Sequence, residues 1–324
     1  MVNISELLRL PGLDADMQRV DDALQRSVRS EDPFLNEVAS HLIAAGGKRL
    51  RPALAVVTAV AGGAGVADDV VQGSVSVELV HLGSLYHDDV MDEAESRRGV
   101  QSVNARWGNL VAIVAGDFLL ARASEIAAGL GTEIAGLLAA TIGRLCEGQV
   151  AEVQTAFNPA RTEAAYMTAI AGKTASLTAA ACRIGALTAG LVRNEVEAFT
   201  SFGHAFGMAF QIRDDVLDVI GTDEVLGKPA GHDMVEGVYT LPVIRALATP
   251  VAGNELRGLL GAPLDEPTRN KARAIVRTTD SIDASLIVAR RFADAAADAL
   301  SPISGETAEA LAGLGHRLLD DLGG

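Results

Sequence analysis

Apolar positions recur at three- and four-residue spacing, or fill whole segments, through most of the chain. Period-two alternation is absent and β-branched runs are short, so the pattern predicts helices and no strands. Residues 13–30 read as an amphipathic surface helix, and Pro33 opens another that ends at Gly46-Gly47. Pro52 can open a short helix that stops within residues 62–65. From about Ala67 to Glu93 the run through Val75, Val77, Leu79, Val80 and Leu82 predicts a largely buried helix. Residues 110–130 and 132–157 read as two more, with Thr132 as an N-cap. Thr162 caps a helix that runs through Gly190, interrupted near Gly172-Lys173-Thr174. Asn194, with Glu197 three residues on, is a capping-box start for a helix carrying Phe202, Phe206, Met208, Phe210 and Ile212. Residues 221–238 are polar and glycine-rich and read as a lid. Leu241-Pro242 restarts helix, and the remainder reads as about four amphipathic helices without ligand-like clusters. No disordered linker and no repeat interrupts this, so one all-α domain spanning 1–324 is expected.

Composition narrows the class. The 324 residues are 49% hydrophobic but only 4% aromatic, so small and aliphatic side chains fill the core, which favours close-packed helices. A formal charge of −15 argues against nucleic acid and anionic membrane surfaces as partners. No stretch approaches a membrane span; the apolar run 110–120 contains Asp117 and reads as a core helix. Cys146 and Cys182 are too few for a disulfide framework and form no C-x-x-C pair. No basic region followed by an apolar run opens the chain, so the expected location is the cytoplasm.

The chemistry sits at the ends of two greasy helices, in Asp88-Asp89-Val90-Met91-Asp92 and Asp214-Asp215-Val216-Leu217-Asp218. Asp88 and Asp92, four apart, share a helix face, with Asp89 beside them. Like charges at that spacing repel, and a helix C-terminus disfavours anions further. Two such clusters suggest two walls of one acidic mouth that a cation neutralises. Dense carboxylate oxygens select hard cations such as Mg²⁺, which commonly binds one or two carboxylates plus substrate phosphates. Cations are grouped too. Gly46-Gly47-Lys48-Arg49-Leu50-Arg51-Pro52 is a compact anion grip, though it also reads as a helix C-cap whose basic residues answer the dipole. Arg97 and Arg98 are either surface ion-pair partners, worth about 0–1 kcal/mol, or forks for phosphate oxygens. Nucleotide-loop, dinucleotide and zinc-protease motifs are missing. A substrate with a diphosphate head and an apolar tail fits best.

These motifs in this order resemble the trans-isoprenyl diphosphate synthases, or polyprenyl synthetases. The resemblance runs from Gly46 to Pro242. It takes in the grip, His81, the first aspartate cluster, Arg97-Arg98-Gly99, Gly116-Asp117-Phe118, Lys173-Thr174, Phe210-Gln211 with the second cluster, Gly227-Lys228-Pro229 and Thr240-Leu241-Pro242. It implies an isoprenoid-synthase-type helical bundle around a central cavity. It also implies Mg²⁺-dependent 1′-4 condensation of isopentenyl diphosphate with an allylic primer, farnesyl or geranylgeranyl diphosphate. Lys48, Arg51, His81 and Arg98 would hold the isopentenyl diphosphate. Asp88, Asp92 and Asp214 would ligate roughly three Mg²⁺ ions bridging to the allylic diphosphate, with Asp89, Asp215 and Asp218 supporting them. Arg97, Lys173 and Lys228 would neutralise that diphosphate, and Gln211 and Thr174 would line the reacting carbons. A homodimer is implied as well. Two positions depart from the family pattern: Val238 stands where many members carry Lys, and His232 where Asn is expected.

In this family the tail grows beside the helix preceding the first cluster. The positions four and five before Asp88 are Ser84 and Gly83, both small, and one turn deeper lies Val80. The expectation is a product longer than C20. A C20 synthase and a non-catalytic subunit of a heteromeric synthase are the alternatives. A terpene cyclase would not need the grip, and a metal buffer leaves the basic motifs unexplained.

Overall fold

The computed structural model describes residues 8, 10–223 and 229–323. Its regular elements are helices apart from one two-residue hairpin, as the hydrophobic pattern predicts. In order they are α1 (Leu13–Ser27), α2 (Pro33–Ala44), α3 (Leu50–Ala61) and α4 (Asp68–Met91). The hairpin strands β1 (Ser96–Arg97) and β2 (Val100–Gln101) follow, then α5 (Val103–Trp107), α6 (Asn109–Leu130), α7 (Thr132–Val153) and α8 (Glu163–Ile170). A π-helical turn, Ala171–Ala175, joins α8 to α9 (Ser176–Thr188), and α10 (Arg193–Ile220) comes next. The C-terminal part holds α11 (His232–Val235), α12 (Leu241–Leu247), α13 (Ala252–Arg257), α14 (Glu266–Arg277), α15 (Ser281–Ala299), α16 (Glu306–Ala312) and α17 (Leu314–Asp320).

Helix α4 packs along α6 and touches α1, α3 and α9. Every residue from Gly73 to Val80 is buried, so this stretch has no solvent face, as its unbroken apolar run requires. Helix α9 lies against both α4 and α10, and so joins the two helices that carry the aspartate clusters. The aromatic residues of α10 stack inward, with the Phe202 and Phe206 rings 5.8 Å apart. On its other side α10 packs on α15.

Three local expectations shift. Thr132 is the first residue of α7 and the cap is Gly131. Helix α10 starts at Arg193, and the carboxylate that folds back is Glu195, which accepts the Val192 N–H at 3.2 Å. Glu197 is instead paired with Arg183 at 2.9 Å. The strandless expectation misses the hairpin, in which Ser96 pairs Gln101 and Arg97 pairs Val100. Two residues are too short to show periodicity. The turn is legible afterwards: Arg98 and Gly99 both take positive φ, 54° and 76°, as the tightest hairpin loops require. Thr162 does cap α8, accepting the Ala165 N–H, and the interruption near Lys173 is the π turn.

Candidate active site

The basic wall is assembled from two loops. Gly47 takes φ 141°, a backbone region that favours glycine, and the Arg98 guanidinium of the hairpin turn packs directly over it. Arg98 Nη1 donates to the Leu42 carbonyl at 2.9 Å and to the Gly46 carbonyl. Arg49, also left-handed at φ 47°, turns away from the mouth and is buried. Its Nε donates to Asp21 at 2.7 Å, its Nη1 to Glu78 at 3.2 Å and its Nη2 to the Ile43 carbonyl at 3.2 Å. Lys48 is exposed, within electrostatic reach of Asp214 and Asp321. Arg51 reaches a cavity, and its buried Nε has no hydrogen-bond partner among the described residues. Burial, reinforced by Arg51, Arg98, Arg97 and Arg49, pushes the His81 pKa well below the ordinary histidine value, so the imidazole is neutral.

The six aspartates divide by environment. Asp88 lines the cavity, Asp92 is exposed at the end of α4, and Asp214 is 44% exposed. Partial burial of its carboxyl, with Glu236 facing it, pushes Asp92 up to about 6. Asp89 is fully buried and is clamped by Arg97, whose Nε and Nη2 lie 2.7 and 2.6 Å from Oδ1. Asp215 is buried between Gln211 Nε2 at 2.8 Å and the Tyr166 hydroxyl at 2.5 Å. Asp218 is buried too, and its Oδ2 accepts the Asp233 N–H at 3.4 Å. Asp89, Asp215 and Asp218 are therefore buried acceptors of internal hydrogen bonds, whereas Asp88 lines the cavity, Asp92 is exposed and Asp214, paired with Arg213 at 3.3 Å, is half-exposed. Lys228, expected at the lid, lies outside the described residues.

The π turn joins the two walls. Lys173 Nζ stands 2.6 Å from Glu152 of α7. Burial alone would lower its pKa, but Glu152 and then Asp88 outweigh that and hold it above the usual value, so it is a full cation. The next residue, Thr174, donates to Gln211 Oε1 at 2.7 Å and so connects to Asp215. A wider helical turn projects both side chains into the space between α4 and α10, a common use of π bulges.

Below this rim lies a cavity of about 450 Å³. Asp88, Arg51 and Lys173 stand among its lining residues, and Val80, Leu120, Ile142 and Leu177 supply apolar wall. Ser84 lines it, but Gly83 does not, which corrects the expectation that both widen the passage. Gly83 faces α6, where an added Cβ would lie 3.0 Å from the Gly116 carbonyl oxygen and 3.1 Å from Leu120 Cγ. Its smallness lets two helices touch.

Glu78, Glu152 and Tyr166 escaped the sequence reading, and Arg49 entered it only as one cation of the grip. Glu78 had a signal: it is a carboxylate inside an otherwise apolar run. Glu152 and Tyr166 had none, because their partners come from other helices.

Comparison with known proteins agrees with this geometry. A profile described as polyprenyl synthetase matches residues 32–277. The chain is 39% identical over 288 residues to heptaprenyl diphosphate synthase component 2 of Geobacillus stearothermophilus, covering 88% of each. It is 40% identical over 231 residues to geranylgeranyl diphosphate synthase of Methanosarcina mazei, covering 69% of this chain and 70% of that one. The crystal structure of a polyprenyl synthase from Caulobacter crescentus, complexed with calcium and isoprenyl diphosphate, superposes with a TM-score of 0.91 at 34% identity. That match covers 98% of this chain and 97% of the other.

Proposed function

The chain belongs to the polyprenyl synthetase family of prenyltransferases, and on that premise we propose that it joins isopentenyl diphosphate to an allylic diphosphate, farnesyl or geranylgeranyl, and extends the chain beyond C20. The observation that carries this reading is the cavity that begins at Asp88 and Lys173 and continues between apolar walls past Ser84 and Val80. The relatives' products differ, heptaprenyl for one and geranylgeranyl for the other, so length is argued from the cavity.

Lys48, Arg51, His81 and Arg98 hold the isopentenyl diphosphate. Neutral His81 donates a hydrogen bond without adding charge to a group of arginines. Lys173 and Arg97 take the allylic diphosphate. Breaking the allylic carbon–oxygen bond leaves diphosphate and an allylic cation. The isopentenyl double bond attacks that cation, and a proton leaves to the departing diphosphate. Gln211 and Thr174 present their oxygen dipoles beside the reacting carbons, and the apolar wall keeps water from the cation.

The acidic residues fit Mg²⁺ held together with substrate. Among the described residues no three carboxylate, imidazole or thiolate groups converge on one point. Asp88 and Asp92 on one helix and Asp214 on the other are the carboxylates that would hold such ions together with substrate diphosphate and water. When bound, such ions supply Lewis-acid neutralisation of the leaving diphosphate.

We also assign a homodimer, through the face where α6 and α7 expose Leu110 (76%), Val114, Val150 and Val153 (60%). A heteromeric assembly is the second reading, favoured by the printed name of the Geobacillus relative as a component. No helix among the described residues is long and apolar enough to cross a membrane. The test is a product assay with Mg²⁺, labelled isopentenyl diphosphate and each primer. Chains beyond C20 support the proposal, a C20 end point overturns the length, and no elongation by the purified chain moves the assignment to a subunit that needs a partner.

A further inference from the structure

Glu78 sits nearly three turns inside α4 from the aspartates and is 1% exposed. It is the only carboxylate on α4 between Asp69 and Asp88. Arg49 Nη1 lies 3.2 Å from its Oε1, and Arg98 Nη2 lies 3.8 Å from the same oxygen. Glu78 is also the strongest opposite charge acting on Arg51. These arginines come from separate segments, Arg49 and Arg51 from the grip and Arg98 from the hairpin turn. His81 stands one turn on, in the field of all three. Three guanidinium groups in a poorly solvated space repel one another unless an anion lies among them. Glu78 is that anion, and Asp21, 38% exposed, braces Arg49 from outside at 2.7 Å.

We propose that Glu78 is a positioning residue for isopentenyl diphosphate: it gathers Arg49, Arg51 and Arg98 so that Arg51 and Arg98 converge on one diphosphate. Arg49 is the strut and does not touch the ligand. Two of its side-chain nitrogens are spent on Asp21 and Glu78, and the third on the Ile43 carbonyl. Glu78 also trims the positive charge of the pocket, so that a diphosphate can leave after transfer as well as enter. This inference rests on the reading of the basic wall given above.

Initial-rate kinetics on the full-length protein separate the two. Glu78→Gln keeps the shape and removes the charge. The KM for isopentenyl diphosphate should rise about tenfold to a hundredfold, the range for losing a hydrogen bond to a charged group. The KM for the allylic primer should stay unchanged, and Glu78→Asp should recover part of the loss. Equal changes in both KM values, or an unchanged KM for isopentenyl diphosphate, would overturn the inference. If Glu78→Gln does not fold, Asp21→Asn tests the same network from its exposed edge. It should raise the same KM by a smaller factor, and no rise there overturns the inference. Failure of the wild-type chain to elongate any primer refutes the underlying reading instead.

Discussion

Ser84→Phe separates the two small residues that precede the first aspartate cluster. Ser84 lies four residues before Asp88, about 6 Å along the helix axis, and Val80 lies about 6 Å deeper. A peptide unit spans about 3.6 Å over three backbone bonds, so a four-bond isoprene unit spans about 4.8 Å, close to one helical turn. A phenyl ring at position 84 therefore closes the passage near its top and removes at least the Ser84-to-Val80 segment, worth one isoprene unit or more. Products should shorten towards C15–C20. Because Ser84 faces a cavity of about 450 Å³, the ring enters empty space and avoids the usual overpacking penalty. Stability should hold. Gly83→Ala is the converse. Its new methyl group meets the Gly116 carbonyl at 3.0 Å, which offsets the helix-propensity gain of about 1 kcal/mol, so no net stabilisation is expected. Its product length should not change. The assays are chromatographic sizing of labelled products and urea denaturation of the same preparations. A folded Ser84→Phe protein that still makes the wild-type ladder refutes the passage, as does a stable Gly83→Ala protein with shortened products.

Three further outcomes are expected. Lys173→Ala should lower kcat by about 10²–10³-fold, the usual loss for one preorganised electrostatic group, with an unchanged circular dichroism spectrum. A drop under threefold would remove Lys173 from the allylic site. Chelation should abolish turnover, restored by Mg²⁺, without unfolding the chain, since no three metal-binding groups converge among the described residues; loss of helicity on chelation would contradict this. At pH 8 a maleimide should label Cys146, which is exposed and lines the cavity. It should spare Cys182, which burial pushes up to about 12, leaving only about 10⁻⁴ of it as thiolate. Labelling of both thiols in mass spectra of the native protein would show that the α9 core opens.

What the sequence made legible was whatever depends on neighbours three or four residues away. The two Asp-Asp-x-x-Asp clusters, the buried run of α4 and the break at Lys173 all follow from helical spacing, and the structure sets Val80, Asp88 and Lys173 around one cavity. Partners supplied by another helix stayed hidden. Glu152 meets Lys173 only because α7 lies against the π turn, where a Cβ on Gly148 would come within 2.5 Å of the Lys173 nitrogen. Gly83 shows a different limit. Small residues make room, but one step along a helix turns the side chain by about 100°, so adjacent positions make room for different things. At Ser84 the room belongs to a cavity, and at Gly83 to the backbone of α6. The same rotation divides the aspartates. Asp88 faces the rim, while Asp89 turns inward and holds Arg97. A consecutive pair of acids thus encodes one group aimed at ligand and one aimed at the protein. Exchanging Asp89 for Asn should loosen Arg97 without removing an oxygen from the mouth, a weaker defect in the allylic KM than Asp88→Asn produces.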